Sequence, residues 1–374
     1  MTPLRVLIAP DKFKGTLTAA EAAAALARGW GARRPLDRLE LLPISDGGDG
    51  FGEIYSAQLQ AGAMGVRTVD AAHRPLESSW WWSEAEGTAV IESARVIGIA
   101  LLPRGKYHPF ELDTFGLGEV LRAAAARSPR RCVVGIGGSA TNDGGFGLAR
   151  ALGWQFFNAH EEPISRWTDL HSLDTVRPPQ GGLRLGELVV AVDVQNPLLG
   201  PQGCSRIYGP QKGLTEFELA ERCLGRLAEV LARELGVGAA GDPGAGAAGG
   251  LGFGLRAFAG ARLEPGFDLV ARAARLEERL READLVLTGE GAIDGSTLMG
   301  KGVGELAARC ARIGVPCVGL AGVIPDRVAA RARFAAVHAL TPDLTTPAEA
   351  MAEPARWLEE LGARAAAAWA PQPR

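Results

Sequence analysis

Short apolar runs, several followed within a few residues by glycines or carboxylates, recur along the chain and constrain its fold more than any other feature. Residues 4–9, 132–136, 188–192, 285–287 and 315–320 each form such a run. Runs this short and this apolar predict buried strands. Ala/Leu/Arg segments with helical spacing lie between several of them, and three have start signals: Thr18 with Glu21, Thr215 with Glu218, and Thr346 with Pro347 and Glu349. Each pattern predicts a capping box that satisfies the first free amides of a helix. Strands alternating with helices define an α/β class with a largely parallel sheet.

The stretch after residue 65 reads differently. Residues 66–70, the triplet Trp80-Trp81-Trp82 and residues 88–92 follow one another with short polar connections. That spacing predicts antiparallel strands, with the tryptophans packing between layers. A chain of 374 residues exceeds the size at which one core usually stops growing, so two domains are expected. Residues 236–254, dense in Gly and Ala, read as a loop that serves as linker or as backbone for an anion.

Composition narrows the function classes. The 40 Lys+Arg are balanced by 43 Asp+Glu without a long basic run, which gives no footprint for nucleic acid. No apolar stretch is long enough to span a bilayer, and the N-terminus lacks the pattern of a secretory signal, so the expected location is cytoplasmic. Cys132, Cys204, Cys223, Cys310 and Cys317 are scattered without metal-ligand spacing and are expected to be reduced thiols.

Fifty glycines cluster after the predicted strands, where open α/β sheets bind ligands. Gly135-Ile136-Gly137-Gly138-Ser139-Ala140 fits G-x-G-x-x-A, but Thr141-Asn142-Asp143-Gly144-Gly145 delays the helix that a dinucleotide fingerprint requires. Gly244-Ala245-Gly246-Ala247-Ala248-Gly249 matches the same pattern without a preceding strand. Around Lys301 the chain imitates a Walker loop but has Gly302 where a hydroxyl should hold Mg²⁺. Lys301 among glycines can still meet phosphate as a point charge. A hydrolase elbow is incomplete after Ser139, and His73, His108, His160, His171 and His338 are isolated.

Several glycine loops together suit a polyphosphate, because consecutive amides without Cβ atoms can approach one anion. Carboxylates accompany them: Asp11, Asp46, Asp49, Asp193, Glu290 and Asp294 all stand at predicted strand ends or loops. Mg²⁺ uses one or two carboxylates plus phosphate oxygens, and a further carboxylate can orient an attacking hydroxyl. Asp49 and Asp143 read as turn or helix caps.

Seven ordered motifs resemble bacterial glycerate kinases of the glycerate 2-kinase type, over nearly the whole chain. They are Ala9-Pro10-Asp11-Lys12-Phe13-Lys14-Gly15-Thr16-Leu17, Ser45-Asp46-Gly47-Gly48-Asp49-Gly50, the turn from Gly135 to Gly145, Asp193-Val194-Gln195-Asn196-Pro197-Leu198, Tyr208-Gly209-Pro210-Gln211-Lys212-Gly213, the run from Pro243 to Gly250, and Thr288-Gly289-Glu290-Gly291. The resemblance implies ATP with Mg²⁺, D-glycerate as acceptor, 2-phosphoglycerate as product, and two different α/β domains with the active site in the cleft between them. One of these domains, a doubly wound and mostly parallel sheet, is expected from both termini (1–65 and 270–374), with 66–269 as the inserted domain.

On that reading Gly137, Gly138, Ser139, Thr141, Gly289 and Gly291 are expected to contact the nucleotide. Asp193 and Glu290 are the metal candidates, Asp11, Lys14 and Lys212 the substrate-binding ones, and Lys14, Asp46, Asp193 and Asp294 the catalytic ones. Phe115 and Leu117 stand where the family usually has hydroxyls, Ser296 replaces a common Gln, and Cys204 a small residue. Alternatives are 3-phosphoglycerate as product, a dinucleotide-dependent oxidoreductase acting on a small hydroxy acid, and a binding protein that kept the fold without the transfer. No nucleic-acid or membrane partner is expected; a homo-oligomer is compatible with the sequence.

Overall fold

The protein is described from a computed structural model, for residues 2–298 and 302–369. Thirteen strands among these residues, numbered in chain order, fall into three sheets. The chain divides into two compact units, Met1–Asp46 with Val270–Arg374, and Gly47–Leu269.

The unit built from both termini holds a five-stranded sheet of β1 (Arg5–Ile8), β2 (Arg38–Leu41), β11 (Leu285–Ala292), β12 (Cys317–Val323) and β13 (Ala336–Thr341). The order is β13-β12-β11-β1-β2 and every pairing is parallel. Strand order reverses between β1 and β11, whose carboxyl ends lead to Asp11 and Glu290. Open α/β sheets bind ligands outside the carboxyl ends of strands at such a reversal. Helix Ala19–Arg33 buries Ala22, Ala23, Leu26 and Trp30 in one core with Leu358 and Leu361 of helix Pro354–Ala368. Truncating a fully buried tryptophan such as Trp30 costs roughly 3–5 kcal/mol.

The other unit has a six-stranded mixed sheet and a separate hairpin. Its strands are β3 (Gly62–Val69), β4 (Pro75–Ser83), β5 (Thr88–Glu92), β6 (Arg131–Gly135), β7 (Gln155–Asn158), β8 (Leu173–Arg177), β9 (Glu187–Val192) and β10 (Arg262–Pro265). β3, β4 and β5 pair antiparallel, whereas β5, β6, β9 and β10 run parallel. Trp80 and Trp81 are buried as expected of packing residues, and the Trp81 ring lies under Arg95.

The mixed α/β class predicted from the alternation is present, and two local expectations are corrected. The Thr18–Glu21 and Thr346–Glu349 boxes form, but helix Phe217–Leu235 starts after Glu216 with no side-chain cap. Thr215 Oγ1 instead donates to the carboxylate of Glu216 at 2.8 Å, and the helix starts one residue later than expected, with Glu216 rather than Thr215 at its N-cap. The glycine-rich stretch after residue 236 contains helix Ala247–Ala259, begun by a left-handed segment at Ala248, Gly249 and Gly250. Burial of Leu251, Phe253 and Leu255 overrides the low helix propensity of its glycines. Among the described residues no helix is long and apolar enough to cross a membrane. All five cysteines are free and buried.

Candidate active site

In the terminal unit three carboxylates gather beyond the sheet reversal. Asp11 leaves β1, its backbone amide donating to the Gly289 carbonyl of β11 at 2.8 Å. Thr288 Oγ1 donates to the Ala9 carbonyl at 2.7 Å, which ties the same two strand ends together. Burial, followed by repulsion from Asp46, pushes the Asp11 carboxyl up to about 8, with Glu290 adding to the repulsion. Gly302, which precedes helix Val303–Ile313, borders both acids: a Cβ there would stand 3.3 Å from Asp11 Oδ2 and 3.5 Å from Asp46 Cβ.

Glu290 is oriented by Thr297, whose hydroxyl donates to its Oε1 at 2.6 Å. Asp294 accepts from both the amide and the hydroxyl of Ser296, at 2.8 and 2.7 Å, a local turn that starts the short helix Gly295–Leu298. Gly289 is required for packing, since a Cβ there would lie 1.9 Å from the Leu320 carbonyl oxygen of β12. Gly291 is less confined, with the Lys14 amide 3.5 Å from its Cβ position. Lys14 itself is exposed. Lys301 lies outside the described residues.

In the inserted unit the glycine turn after β6 meets the start of the unit. Gly138 has φ +73°, and a Cβ on it would come within 1.8 Å of Asp49 Oδ1, so both the backbone conformation and the contact exclude a side chain. A Cβ on Gly137 would come within 2.6 Å of Gly48 Cα, so it too excludes a side chain. Glu92, at the end of β5, accepts from the Gly50 amide at 2.6 Å and fixes that turn, while burial raises its own pKa. The helix after the turn begins only at Phe146, which removes the geometry of a dinucleotide fingerprint.

Lys212 lies on this turn. Its Nζ donates to the Thr141 carbonyl at 2.7 Å and to Ser139 Oγ at 3.1 Å. No carboxylate pairs with it among the described residues, and burial pulls the ammonium down to about 8. Thr141 Oγ1 and Asn142 Oδ1 are buried without partners. Orphaned acceptors cost about 1–3 kcal/mol each and mark a polar site rather than packed core. Asp193 follows β9 and is half-buried. Burial and the Asp193 charge together push the Tyr208 phenol up to about 12, and Tyr208 donates to Asn196 Oδ1 at 2.5 Å.

Asp143 is a structural anchor, as its expected capping role implies. It accepts from the Thr114 amide and hydroxyl and from the Gly147 amide at 2.8–2.9 Å, and burial raises it to about 6. Leu117 is buried in the core, and Phe115 stands beside His73 and Arg150. Sequence reasoning gave no role to Glu92, Asn142, Ser205 or Thr297. Only the polar identity of Asn142, inside a glycine turn, could have signalled one.

Comparison with known proteins places the chain in a class, the kinases, on a mixed α/β fold. A model of the glycerate kinase family matches residues 6–370. Glycerate 2-kinase of Escherichia coli (strain K12) is 37% identical over 333 residues, 87% of each chain. Glycerate kinase of Halalkalibacterium halodurans is 37% identical over 323 residues, 85% of each chain. A crystal structure from Salmonella typhimurium LT2, assigned as a glycerate kinase 2, superposes with a TM-score of 0.82 at 32% identity over 98% of each chain. The chain belongs to the glycerate kinase family and is an enzyme.

Proposed function

We propose that the protein phosphorylates D-glycerate from ATP in the presence of Mg²⁺, giving 2-phosphoglycerate. The observation that carries this reading is the Lys212 ammonium, held on the glycine turn by Ser139 and Thr141 with no carboxylate partner. A half-buried cation without an anion is preformed for a phosphate or carboxylate oxygen. The relative named glycerate 2-kinase supports the choice of substrate and of the 2-hydroxyl.

Phosphoryl transfer is mostly positioning and charge neutralisation. The turn Gly137-Gly138-Ser139-Ala140-Thr141 and Lys212 hold phosphate oxygens of the nucleotide. Lys14, exposed beside Gly291, binds the glycerate carboxylate. Asp46 orients and deprotonates the attacking hydroxyl, while Asp11, whose proton burial holds near neutral pH, donates a hydrogen bond to the substrate. Asp294 supports the Glu290 loop through its turn.

The fit to Mg²⁺ follows from donor chemistry. Among the described residues no group of three or more His, Cys, Asp or Glu forms a metal cage. A kinase magnesium needs only one or two carboxylates beside phosphate and water, and Asp193 and Glu290 are suitable oxygen donors. When bound, the ion neutralises charge on the phosphates.

The reading is tested by ADP release from purified protein with ATP, Mg²⁺ and D-glycerate. Release that requires all three is expected. No glycerate-dependent release, or reduction of NAD(P) by glycerate, would overturn it.

A further inference from the structure

Of the 40 Lys+Arg residues only five are lysines: Lys12, Lys14, Lys106, Lys212 and Lys301. In a chain that otherwise uses arginine, a lysine kept in a glycine loop marks a place where a compact ammonium with three rotatable donors serves and a planar guanidinium does not. Lys212 is such a case, and its position depends on two segments far apart in sequence. The acceptor Thr141 belongs to the glycine turn, whereas Lys212 ends the 3₁₀ turn Pro210–Lys212, just after helix Cys204–Tyr208.

Ser205 and Asn142 join those segments. Both are fully buried, and Asn142 Nδ2 donates to Ser205 Oγ at 2.9 Å. With Nδ2 committed, the amide has a single orientation, which leaves its Oδ1 buried and without a partner, as is the Thr141 Oγ1 of the preceding residue. The bond ties the residue after Thr141 to the helix that delivers Lys212.

We propose that Asn142 and Ser205 are positioning residues whose buried hydrogen bond keeps the Lys212 ammonium on the glycine turn, ready for an anionic oxygen of the substrate. The proposal rests on the reading of Lys212 given above. Neither residue is required to touch substrate. The titratable groups acting on the ammonium are the Cys204 thiol and the Asp143 carboxylate, both fully buried. Neither makes an ion pair with it, so its contacts on the turn are the two hydrogen bonds to Ser139 and Thr141.

The test uses Ser205→Ala, Asn142→Ala and the double variant, with Asn142→Ser as a milder break should the alanine variants fail to fold. Lysine-selective ¹⁵N labelling follows five Nζ signals in the substrate-free protein, and Lys212→Arg assigns the one of interest. Loosening the bolt is expected to hydrate the ammonium and move its titration from near 8 toward the ordinary 10.5. The KM for ATP is expected to rise on the order of tenfold, the scale of one lost buried hydrogen bond. The double variant is expected to add little to either single one. Unfolding temperatures that fall while the Lys212 titration and the KM stay at wild-type values would reduce the pair to a structural role and overturn the proposal. A shifted titration in the variants of a protein whose wild type shows no glycerate-dependent turnover would sustain the positioning role while refuting the substrate reading.

Discussion

Lys212 Nζ donates to the backbone carbonyl of Thr141 at 2.7 Å, joining residues 71 positions apart. A carbonyl carries no formal charge, so the ammonium is solvated by the turn without being neutralised. Burial holds its pKa near 8, and two consequences of opposite sign follow. The cationic form binds an anion, so kcat/KM is expected to fall as pH rises through about 8 in the free enzyme. A bound anion favours the charged form, so the same limb in kcat lies at higher pH. Stability runs the other way: between about 8 and 10.5 the unfolded chain binds more protons than the folded one, and Lys212 contributes increasing stability there. Lys212→Met is expected to lower kcat/KM by about 10²–10³ and to remove the alkaline limb. Rate profiles from pH 6 to 10 check both.

Asp11 gives the converse dependence. Its folded pKa is raised from 3.8 to about 8, chiefly by burial and then by Asp46. The folded chain therefore holds a proton that the unfolded chain releases between these values, and this contribution to stability is lost as pH rises through 8. Asp11→Asn, which cannot ionise, is expected to melt higher than wild type at pH 8.5 and close to it at pH 4, while losing activity at both. Thermal unfolding at the two pH values measures this. Equal differences at both would show that Asp11 ionises normally.

Asp193 and Asp143 separate a site carboxylate from a structural one. Asp193→Asn keeps shape and removes charge, so the KM for Mg²⁺ is expected to rise about tenfold or more with little change in melting. Asp143→Ala leaves the Thr114 and Gly147 donors unpaired inside the unit and is expected to cost on the order of 3 kcal/mol or more of stability. Metal titration of the rate and urea unfolding distinguish the two residues.

Lys14 is exposed, and an exposed single charge is usually worth about 0–1 kcal/mol. If it meets the glycerate carboxylate, Lys14→Met is expected to raise the KM for glycerate selectively and lower kcat/KM by on the order of 10². Steady-state constants for glycerate and ATP, taken separately, decide the matter; wild-type values for both would remove Lys14 from the site.

Much of this was legible because it is local. A strand that ends in glycine or aspartate is written in consecutive residues, and the runs at residues 4–9 and 188–192 became β1 and β9 with Asp11 and Asp193 beyond their ends. The capping boxes at Thr18 and Thr346 are equally local, while the Thr215 box does not form because the helix starts one residue later, with Glu216 at its N-cap. The pairs Lys212–Thr141 and Asn142–Ser205 span 71 and 63 residues, and nothing in either segment announces the other. Glu92 was missed for a related reason: a glutamate ending a strand looks solvated until the Gly50 turn is seen to cover it. Gly289 carries a second demand that its sequence context did not show: besides its expected place at the nucleotide, the Leu320 carbonyl beside it leaves no room for a side chain.

The central claim is transfer of the terminal phosphoryl group of ATP to the 2-hydroxyl of D-glycerate. Phosphorus NMR of the reaction of purified protein with ATP, Mg²⁺ and D-glycerate tests it most directly, since a phosphate on C2 couples to a single methine proton and one on C3 to two methylene protons. A proton-coupled doublet growing as ATP converts to ADP is expected. A triplet would move the transfer to the 3-hydroxyl, and no new phosphate monoester above the protein-free control would contradict the kinase reading itself.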